Sequence, residues 1–484
     1  MRRIGLVIAI VGLCGLAACQ LLLGEGFVVK GPILNSMLGR GVDAPTDTVV
    51  RSRFTLPAGF QLGLFATDLP NVRFLRFSPD GALIASQPRS GRLVHVLPDR
   101  DGDGRSDGQR TLVDGLDRPH GFDFRDDALY VGEGGAIARI PLTTGPEGPV
   151  AAGPPERIVE NIPEGKNHWT RTLRFGPDGG LYLSVGSSCN VCEEEDPRRA
   201  AILRYEADGS GEEIFADGLR NAVGFDWQPE TGHLYATDNG RDLLGDDFPP
   251  CELNRIVRGG FYGWPYANGN KRPDPDFGEG NENHIDRSIS PAHGFRAHNA
   301  PLGMTFLRHP SAGPQYRGAA LAALHGSWNR STLDGYRVVS LHWDASGRIT
   351  ERDFLLGFER DGDVIGRPVD VTEGPDGAIY VSDDYAGAIF RITRGDGAPA
   401  AAASEAVPPA RPRAVDDPLA AFDEASRAQL VARGETVFAE QRCAGCHVAG
   451  QLEEGVVMKP LRRLAPRYTV ESLTAFFLAP TAPM

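Results

Sequence analysis

One pattern of apolar and polar residues recurs through most of the chain, over residues 54–394. Each copy has a short apolar run, then Pro-Asp-Gly or a variant of it, then a second apolar run such as Leu-Tyr-Val. Period-two alternation predicts strands and the Pro-Asp-Gly step predicts a tight turn, so each copy is predicted to form a β-hairpin. Clear copies lie at residues 75–81, 173–179 and 374–381, and weaker ones at 122–134, 225–238 and 304–327.

A single hairpin cannot bury both of its faces, so such units are expected to stack against one another. A spacing of about 50 residues per unit suits the four-stranded blade of a β-propeller, and six units fit this part of the chain. The sequence therefore predicts an all-β, six-bladed β-propeller over residues 51–394. An irregular β-sandwich is the alternative that the same alternation would allow.

The pattern ends at a segment rich in alanine and proline, residues 395–417, which is predicted to be a flexible linker. Beyond it lies Cys443-Ala444-Gly445-Cys446-His447. The spacing C-x-x-C-H is the attachment signature of haem c, in which both thiols bind the porphyrin and the histidine ligates the iron. We therefore predict covalent haem at Cys443 and Cys446, with His447 as an axial ligand.

The residues around this motif are consistent with helices. Residues 425–441 carry apolar side chains on one helical side, and a second apolar stripe follows Thr469. The segment 418–484 resembles a small, all-α class I cytochrome c domain. Its second haem ligand is expected to be Met484, with Met458 as the other candidate, and we expect the domain to be incomplete because its closing helix is missing after Met484.

The N-terminus has the features of an export signal. Two arginines precede a short apolar run, and residues 16–19 read Leu-Ala-Ala-Cys, which resembles a bacterial lipobox. Residues 1–19 are thus predicted to be a lipoprotein signal peptide with lipid on Cys19, and residues 20–50 a tether. Ordinary signal cleavage and an uncleaved anchor remain alternatives. The predicted location is the periplasm, with the protein anchored to a bacterial membrane.

Charge and cysteine usage refine this picture. The net charge of −14 argues against a nucleic-acid partner, because no basic face offsets it. In an oxidising compartment Cys189 and Cys192, a second C-x-x-C pair, could close a disulfide; zinc there is not expected, since no second ligand pair is nearby. Cys251 is left over, either buried and unreactive or near that pair.

An acidic stretch at residues 99–107 has carboxylates at alternate positions and Gly104 at the sixth, as in a calcium loop. Its twelfth position is Arg110, where such a loop needs glutamate. A solvated acidic turn is therefore an equally good interpretation.

Polar residues cluster in the segments between the predicted blades. Histidine there could act as a base, arginines could bind carboxylates, and aspartates or carbonyls could hold a metal. Turns need such residues in any case, so none is decisive alone. The candidates are His120, His168, Arg220, Asn221, Asp242, Asp246, Asp247, His325 and Arg367.

Taken in order, several of these segments resemble the sugar dehydrogenases that use pyrroloquinoline quinone (PQQ), especially the L-sorbosone dehydrogenase-like branch. The resemblance extends over residues 54–394. It rests on Asn-His at 167–168, Gly-Leu-Arg-Asn-Ala-Val-Gly at 218–224, Glu-Leu-Asn at 252–254, Gly-Gly-Phe-Tyr-Gly-Trp-Pro at 259–265 and His-Gly-Ser-Trp-Asn-Arg at 325–330.

The resemblance implies roles for individual residues. His168 would be the general base, while Arg220, Asn221 and Arg367 would contact the quinone. A quinone-bound Ca²⁺ would be held by backbone carbonyls, which map loosely to Gly240 and Arg241, although an insertion follows them here. The resemblance also assigns cofactor contacts to His120, His325 and Arg330.

The implied protein is a periplasmic dehydrogenase that oxidises a sugar, sugar aldehyde or polyol with PQQ and Ca²⁺ and passes electrons through haem c to a downstream cytochrome or respiratory acceptor. Two alternatives from other classes are a calcium-dependent lactonase on the same type of propeller, and a non-catalytic binding propeller with a haem relay. A lactonase would need side-chain carboxylate and amide ligands for its metal in the channel.

Overall fold

The computed structural model of the chain describes residues 40–165, 167–395 and 423–440, together with Pro32. Two compact units make up the chain, Met1–Glu405 and Ala406–Met484. In the first unit, six antiparallel sheets of four principal strands follow one another along the sequence. This is the predicted six-bladed β-propeller, and we number its blades 1 to 6 in chain order.

Within blades 1 to 5 the strands run in sequence order from the inner to the outer edge. Blade 2 has one additional strand, Gly148–Ala151, and Gly260–Phe261 adds in parallel to the outer strand of blade 3. The strands are Leu75–Phe77, Leu83–Gln87, Arg92–Val96 and Gln109–Val113 in blade 1; Phe122–Arg125, Ala128–Gly132, Ile137–Gly145 and Glu156–Val159 in blade 2; Leu173–Phe175, Leu181–Val185, Ala201–Tyr205 and Glu213–Asp217 in blade 3; Ala222–Trp227, Leu234–Asp238, Pro250–Ile256 and His293–Ala297 in blade 4; and Pro301–Phe306, Ala320–Leu324, Arg337–Trp343 and Ile349–Leu355 in blade 5.

Blade 6 closes the ring. Its inner three strands are Pro368–Glu373, Ile379–Asp383 and Ala388–Arg394, and its outer strand is Phe60–Ala66, from the start of the propeller. The pairing of Phe60 with Arg394 and of Leu64 with Phe390 therefore joins the two ends of the domain. Outside the blades lie the strand pairs Ala267–Asn268 with Arg272–Pro273 and Glu359–Arg360 with Asp363–Val364, the helices Asp47–Arg53 and Glu282–Arg287, and the 3₁₀ turns Pro88–Ser90, Pro310–Ala312 and Pro314–Tyr316.

The Pro-Asp-Gly steps join the inner strand of a blade to its second strand, as the alternation predicted. The glycines Gly81, Gly179 and Gly377 have φ angles of 87°, 78° and 76°. Only glycine adopts this left-handed region without steric cost, so the residue type and the turn agree. Each turn is closed by a backbone hydrogen bond from the glycine N–H to the carbonyl three residues earlier.

The apolar residues form one cluster between each pair of neighbouring blades. Between blades 6 and 1, for example, Leu75, Leu83, Tyr380 and Ile389 are all buried against one another. The five other interfaces have clusters of the same kind. Burial of both faces of every blade explains why six hairpin units, none stable alone, form one domain.

Residues 40–50 differ from the tether predicted there. Thr46 accepts a hydrogen bond from Val49 N at 3.4 Å and begins the helix Asp47–Arg53. Val50 is 3% exposed and packs into the cluster between blades 5 and 6. The apolar side chains of this short helix are the adjacent pair Val49 and Val50, which gives no helical periodicity, so the sequence does not predict it.

In the second unit the structure describes one helix, Glu424–Glu440, within one residue of the prediction at each end. Leu430, Val431 and Val437 on this helix are 42%, 50% and 48% exposed. The remainder of the predicted cytochrome domain lies outside the described residues. Among the helices that are described, none combines the length and apolar character needed to cross a membrane.

Candidate functional site at the mouth of the propeller

Two sets of loops meet at one end of the propeller, which we call the mouth. One set leads into the inner strands and the other follows the second strands. These strands are antiparallel, so the start of one lies beside the end of the other, as where Ala222 pairs with Asp238 and Pro368 with Asp383. All site residues predicted within the propeller lie in these loops: His120, His168, Arg220, Asn221, Gly240, Arg241, His325, Arg330 and Arg367.

The ring of His168 is held in one tautomer by Ser187. Its Nδ1 lies 3.0 Å from the Ser187 carbonyl oxygen and 2.8 Å from Ser187 Oγ. The Ser187 hydroxyl donates its proton to the Cys189 carbonyl at 2.8 Å, so both partners of Nδ1 can only accept. Nδ1 must then carry the proton, and Nε2 of the neutral ring keeps a lone pair.

The environment of His168 favours this neutral form. Burial and then the positive charge of Arg220 lower the pKa of His168 to about 3. Its backbone has a φ of 42°, which is uncommon for a residue with a side chain, and its carbonyl accepts a hydrogen bond from Arg171 Nη1 at 3.2 Å. At neutral pH this histidine is therefore an uncharged acceptor, the state that a general base requires.

Asn221 lies directly beside His168. A Cβ on Gly186 would fall 2.5 Å from the Cβ of His168 and 2.6 Å from Oδ1 of Asn221, so only glycine fits between them. The Asn221 N–H donates to Asp238 Oδ1 at 2.6 Å, which fixes the start of its strand. Its side-chain Oδ1 is buried with no hydrogen-bond partner among the described residues.

Arg220 is fully engaged by neighbouring protein groups. Its Nε donates to Asn190 O at 2.9 Å, and Nη2 donates to Asn190 Oδ1 and Asp242 Oδ2, both at 2.8 Å. Nη1 donates to Gly240 O at 2.9 Å and Asn239 O at 3.3 Å. All its N–H groups thus have acceptors, and the guanidinium ties together the loops of blades 3 and 4. A quinone contact would have to share one of these bonds.

The predicted calcium ligands lie in the same loop. The Gly240 carbonyl already accepts the bond from Arg220, which leaves one lone pair for a metal. The Arg241 side chain is turned away into ion pairs with Asp274 and Asp276. Among the described residues, the cluster of carboxylates close enough together for a metal is that of the acidic stretch at 99–103, in a blade 1 loop at the opposite end of the propeller.

His325 hydrogen-bonds to a chain of charged groups across blades 6 and 1. Its Nε2 lies 3.0 Å from Asp384 Oδ1, and Asp384 Oδ2 lies 2.7 Å from Arg73 Nη1. Arg367 Nε donates to the His325 carbonyl at 3.3 Å. Burial and then Arg367 lower the pKa of His325 to about 4, so the neutral ring donates to Asp384.

His120 lies in the loop that leads into blade 2, near Arg73. It is 1% exposed, it packs edge-on against Trp169, and its Nδ1 lies 3.4 Å from Thr172 Oγ1. Its Nε2 is buried without a partner in the described region. Burial and then the charge of Arg73 hold the pKa of His120 well below its usual range.

Arg330 is held differently from the other predicted contacts. Its side chain donates to the carbonyls of Ala297, at 3.2 Å, and of Asp246, and it lies 3.4 Å from Asp247 Oδ1. These bonds order the insertion that follows Gly240. The other predicted site residues, Cys443, Cys446, His447 and Met484, lie outside the described residues, as do Cys19 and Met458.

A family model described as Glucose / Sorbosone dehydrogenase matches residues 132–391, more than half of the chain. The chain belongs to the glucose/sorbosone dehydrogenase family. The match covers the propeller from blade 2 to blade 6 and includes all the residues around His168, Asn221 and Arg220.

Relatives of this family member are consistent with the assignment. An uncharacterised protein of Borreliella burgdorferi is 31% identical over 306 residues, covering 58% of this chain and 77% of that protein. A pyrroloquinoline quinone-dependent pyranose dehydrogenase of Coprinopsis cinerea is 26% identical over 301 residues, or 48% of this chain and 40% of that enzyme. A calcium structure of a Trichoderma reesei carbohydrate-active enzyme of family AA12 has the same fold, with a TM-score of 0.62, 21% identity and coverage of 71% of this chain and 97% of that one.

Sequence reasoning missed three residues that organise the site in this glucose/sorbosone dehydrogenase family member. Ser187, Asn190 and Asp384 all follow the second strand of a blade, so that position is the signal that could have identified them. The disulfide that the second C-x-x-C pair allowed is present between Cys189 and Cys192. Cys251 is buried, and burial raises the pKa of its thiol to about 11, which confirms the first of its two alternatives.

The mouth has the chemistry to accept a polar cofactor such as PQQ. His120 Nε2, Asn221 Oδ1 and Asn329 Oδ1 are buried polar atoms without partners among the described residues. Such atoms cost free energy unless a ligand satisfies them. Arg73 and Arg367 lie at the same end and add positive charge for a ligand with several carboxylates.

Proposed function

We propose that this protein is a PQQ-dependent dehydrogenase that oxidises a sugar, a sugar aldehyde or a polyol. The observation that carries the proposal is His168 at the mouth. Its bonds to Ser187 leave Nε2 unprotonated, and Gly186 separates its Cβ from the unpartnered Oδ1 of Asn221. An alcohol oxidation needs a base and polar groups that can orient the bound ligands, and the mouth presents both. The name of the Coprinopsis relative, which states PQQ dependence and a pyranose substrate, supports the same activity.

The chain's own residues would work as follows. His168 Nε2 accepts the proton of the substrate hydroxyl, while the hydrogen on the adjacent carbon leaves with its electron pair and a carbonyl forms. Bound PQQ supplies the acceptor for that hydride. Asn221 and His120 present polar atoms that orient the bound groups, and Arg73 and Arg367 offset carboxylate charge.

Calcium would have a place in the same site. Ca²⁺ near the Gly240 carbonyl would polarise a carbonyl of the bound ligand. The Trichoderma enzyme with the same fold is described as a calcium structure, and this supports the use of calcium here.

We extend the proposal to electron transfer on the basis of the C-x-x-C-H motif at 443–447. Haem bound to Cys443 and Cys446 would receive single electrons, and the linker would keep it at an effective concentration in the millimolar range. Haem staining of the denatured protein, with the Cys443→Ala/Cys446→Ala variant as control, tests the haem attachment; unchanged staining in that variant would contradict it.

The apolar N-terminal run and the Leu-Ala-Ala-Cys step support export and lipid attachment at Cys19.

The test of the function is reconstitution. The purified full chain, stripped of cofactor, is mixed with PQQ and Ca²⁺ and assayed by dye reduction against a panel of aldoses, sugar aldehydes and polyols. We expect saturable dye reduction that requires PQQ. Equal dye reduction without PQQ, or none with any substrate, would overturn the proposal.

The same preparation separates the other functions. A lactonase would hydrolyse sugar lactones without PQQ. The described residues at the mouth include no cluster of carboxylates of the kind such a metal site needs, and this favours the dehydrogenase. A binding propeller would bind a sugar without turning it over.

A further inference from the structure

A short disulfide-closed segment borders the candidate base. Cys189 and Cys192 form an S–S bond and enclose only Asn190 and Val191. The segment follows the second strand of blade 3 and begins two residues after Ser187, the partner of His168. Nothing in the proposed chemistry uses this segment, so its place at the mouth calls for an explanation.

The first connection from the segment runs through Ser187. The hydroxyl of Ser187 accepts from His168 Nδ1 at 2.8 Å and donates to the Cys189 carbonyl at 2.8 Å. Ser187 is fully buried, and its N–H donates to the Arg220 carbonyl at 2.8 Å. The orientation of the imidazole therefore depends on where the first carbonyl of the disulfide loop lies.

The second connection runs through Asn190. Its Oδ1 accepts from Arg220 Nη2 at 2.8 Å and from Asp242 N at 2.9 Å, its Nδ2 donates to Asp242 O at 3.1 Å, and its carbonyl accepts from Arg220 Nε at 2.9 Å. Two of the bonds that fix Arg220 thus come from one residue inside the closed loop. Arg220 in turn is the charge that most favours the neutral form of His168 after burial.

We propose that the Cys189–Cys192 loop is a positioning element for the base, in which Ser187 fixes the ring of His168 and Asn190 fixes the guanidinium of Arg220. This inference rests on the proposed function. The disulfide limits the conformations of a loop whose four residues are only partly buried, so its hydrogen-bonding groups stay aligned when substrate enters. Ser187 and Asn190 are positioning residues, since both act through another side chain.

The first experiment compares serine variants of the reconstituted full chain. Ser187→Ala should lower kcat about tenfold, the equivalent of one lost hydrogen bond, with the dissociation constant for PQQ unchanged. Ser187→Thr keeps the hydroxyl and should recover kcat to within about threefold of wild type.

Ser340→Ala is the matched control, because Ser340 is also fully buried and bonds a histidine, His342 Nε2 at 3.0 Å, on the third strand of blade 5. It should keep the kcat of wild type. A kcat for Ser187→Ala within about twofold of that control would overturn the role of Ser187.

The second experiment opens the loop. The Cys189→Ser/Cys192→Ser variant and Asn190→Ala should each lower kcat about tenfold. Wild type that has been treated with dithiothreitol and desalted should fall to the level of the double variant, which itself should not respond to the reductant. A wild-type kcat in the double cysteine variant, or in wild type after reduction, would overturn the role of the disulfide.

A third measurement does not depend on catalysis. Nitrogen-15 chemical shifts of the histidine rings, recorded without cofactor, report which ring nitrogen carries the proton. We expect the Nδ1–H form for His168 in wild type and a mixture of tautomers in Ser187→Ala. If wild type has no PQQ-dependent activity, the proposed function fails, but this measurement still shows whether Ser187 fixes the ring of His168. An Nε2–H form of His168 in wild type would overturn that positioning role.

Discussion

The two ends of the central channel use the same residue types in opposite ways. At the end away from the mouth, Asp226 is fully buried and accepts from Arg174 at 2.8 Å and from both Nη atoms of Arg308 at 2.8 and 2.9 Å. The N–H of Phe306 adds a further bond at 2.8 Å. At the mouth, Arg220 donates largely to backbone carbonyls and side-chain amides, and several buried polar atoms have no partner in the described region.

This difference distinguishes charged groups that stabilise the fold from polar groups that are available to a ligand. Burial alone would raise the pKa of Asp226, yet Arg174 and Arg308 lower it to about 2. The complete pairing of this carboxylate links blades 3, 4 and 5. Unpaired buried atoms occur at both ends, since Arg76 Nε, Arg174 Nε and Glu373 Oε1 also lack partners among the described residues away from the mouth. At the mouth the unpaired atoms belong to amide and imidazole groups near a candidate base, and this combination points to a ligand. The following predictions test this division, beginning with the largest effect.

His168→Ala should lower kcat by about 10²–10⁴-fold and leave PQQ binding intact, because only the proton acceptor is lost. The measurement is steady-state kinetics with a quinone titration by absorbance. The matched variant is His342→Ala. Burial and then Arg352 lower the pKa of His342 to about 4, but this histidine lies on a blade strand away from the mouth.

The two histidines should behave differently in this test. His342→Ala is expected to keep its kcat, since a lowered pKa alone does not make a base. Wild-type turnover in His168→Ala would remove the assignment of the base and, with it, the functional meaning of the mouth.

At the other end, Asp226→Ala should destabilise the fold by about 3–5 kcal/mol, because Arg174, whose side chain is 13% exposed, and the more exposed Arg308 both lose their counter-charge. The kcat of the folded fraction should not change. Urea denaturation followed by tryptophan fluorescence, together with kinetics on enzyme titrated for active sites, measures both quantities. A fall in kcat with unchanged stability would mean that Asp226 takes part in catalysis and that the chemistry is not confined to the mouth.

The sequence predicted the fold more completely than the site. Alternation and Pro-Asp-Gly turns are local features, and they recur often enough to predict six hairpin units. The loop positions of His168, Asn221 and Arg220 followed from the family resemblance. What the sequence could not show is that Ser187 sets the tautomer of His168, because that bond depends on an uncommon φ and on the packing of two loops.

Arg220 shows the same limit of prediction from sequence. The sequence identifies an arginine at the right position but cannot show where its donors go. In the structure they are all used by protein acceptors from two neighbouring loops. The side-chain bonds of a loop residue depend on tertiary contacts, whereas a turn depends on its own residues.

Asp383 should give the mouth a pH dependence that Asp226 does not give the other end. Its Oδ1 accepts three backbone N–H groups at 2.9 Å, its Oδ2 has no partner among the described residues, and burial raises its pKa to about 7. The unfolded carboxyl ionises near pH 4 and the folded one near pH 7, so wild type loses stability as pH rises between these values.

Asp383→Asn removes this titration and keeps the Oδ1 acceptor. Between pH 4 and pH 7 wild type should therefore lose roughly 1–4 kcal/mol of unfolding free energy relative to the variant. Above pH 8 the difference between the two proteins should stay constant. Urea denaturation at a series of pH values measures it. A difference that is flat from pH 4 to pH 7 would show that Asp383 is ionised throughout.

Asn221→Ala should affect stability and ligand binding in opposite directions. Its buried Oδ1 has no partner in the described region, so truncating it should leave the free energy of unfolding unchanged or slightly higher. PQQ should bind about tenfold more weakly, since the ligand loses one hydrogen-bonding group. Asn268→Ala is the contrast, because the amide of Asn268 already donates to Asp274 at 3.0 Å and its loss should cost stability. Thermal denaturation with and without PQQ measures both effects, and equal destabilisation by the two variants would mean that Asn221 is a structural residue and that its unpaired oxygen does not mark a ligand.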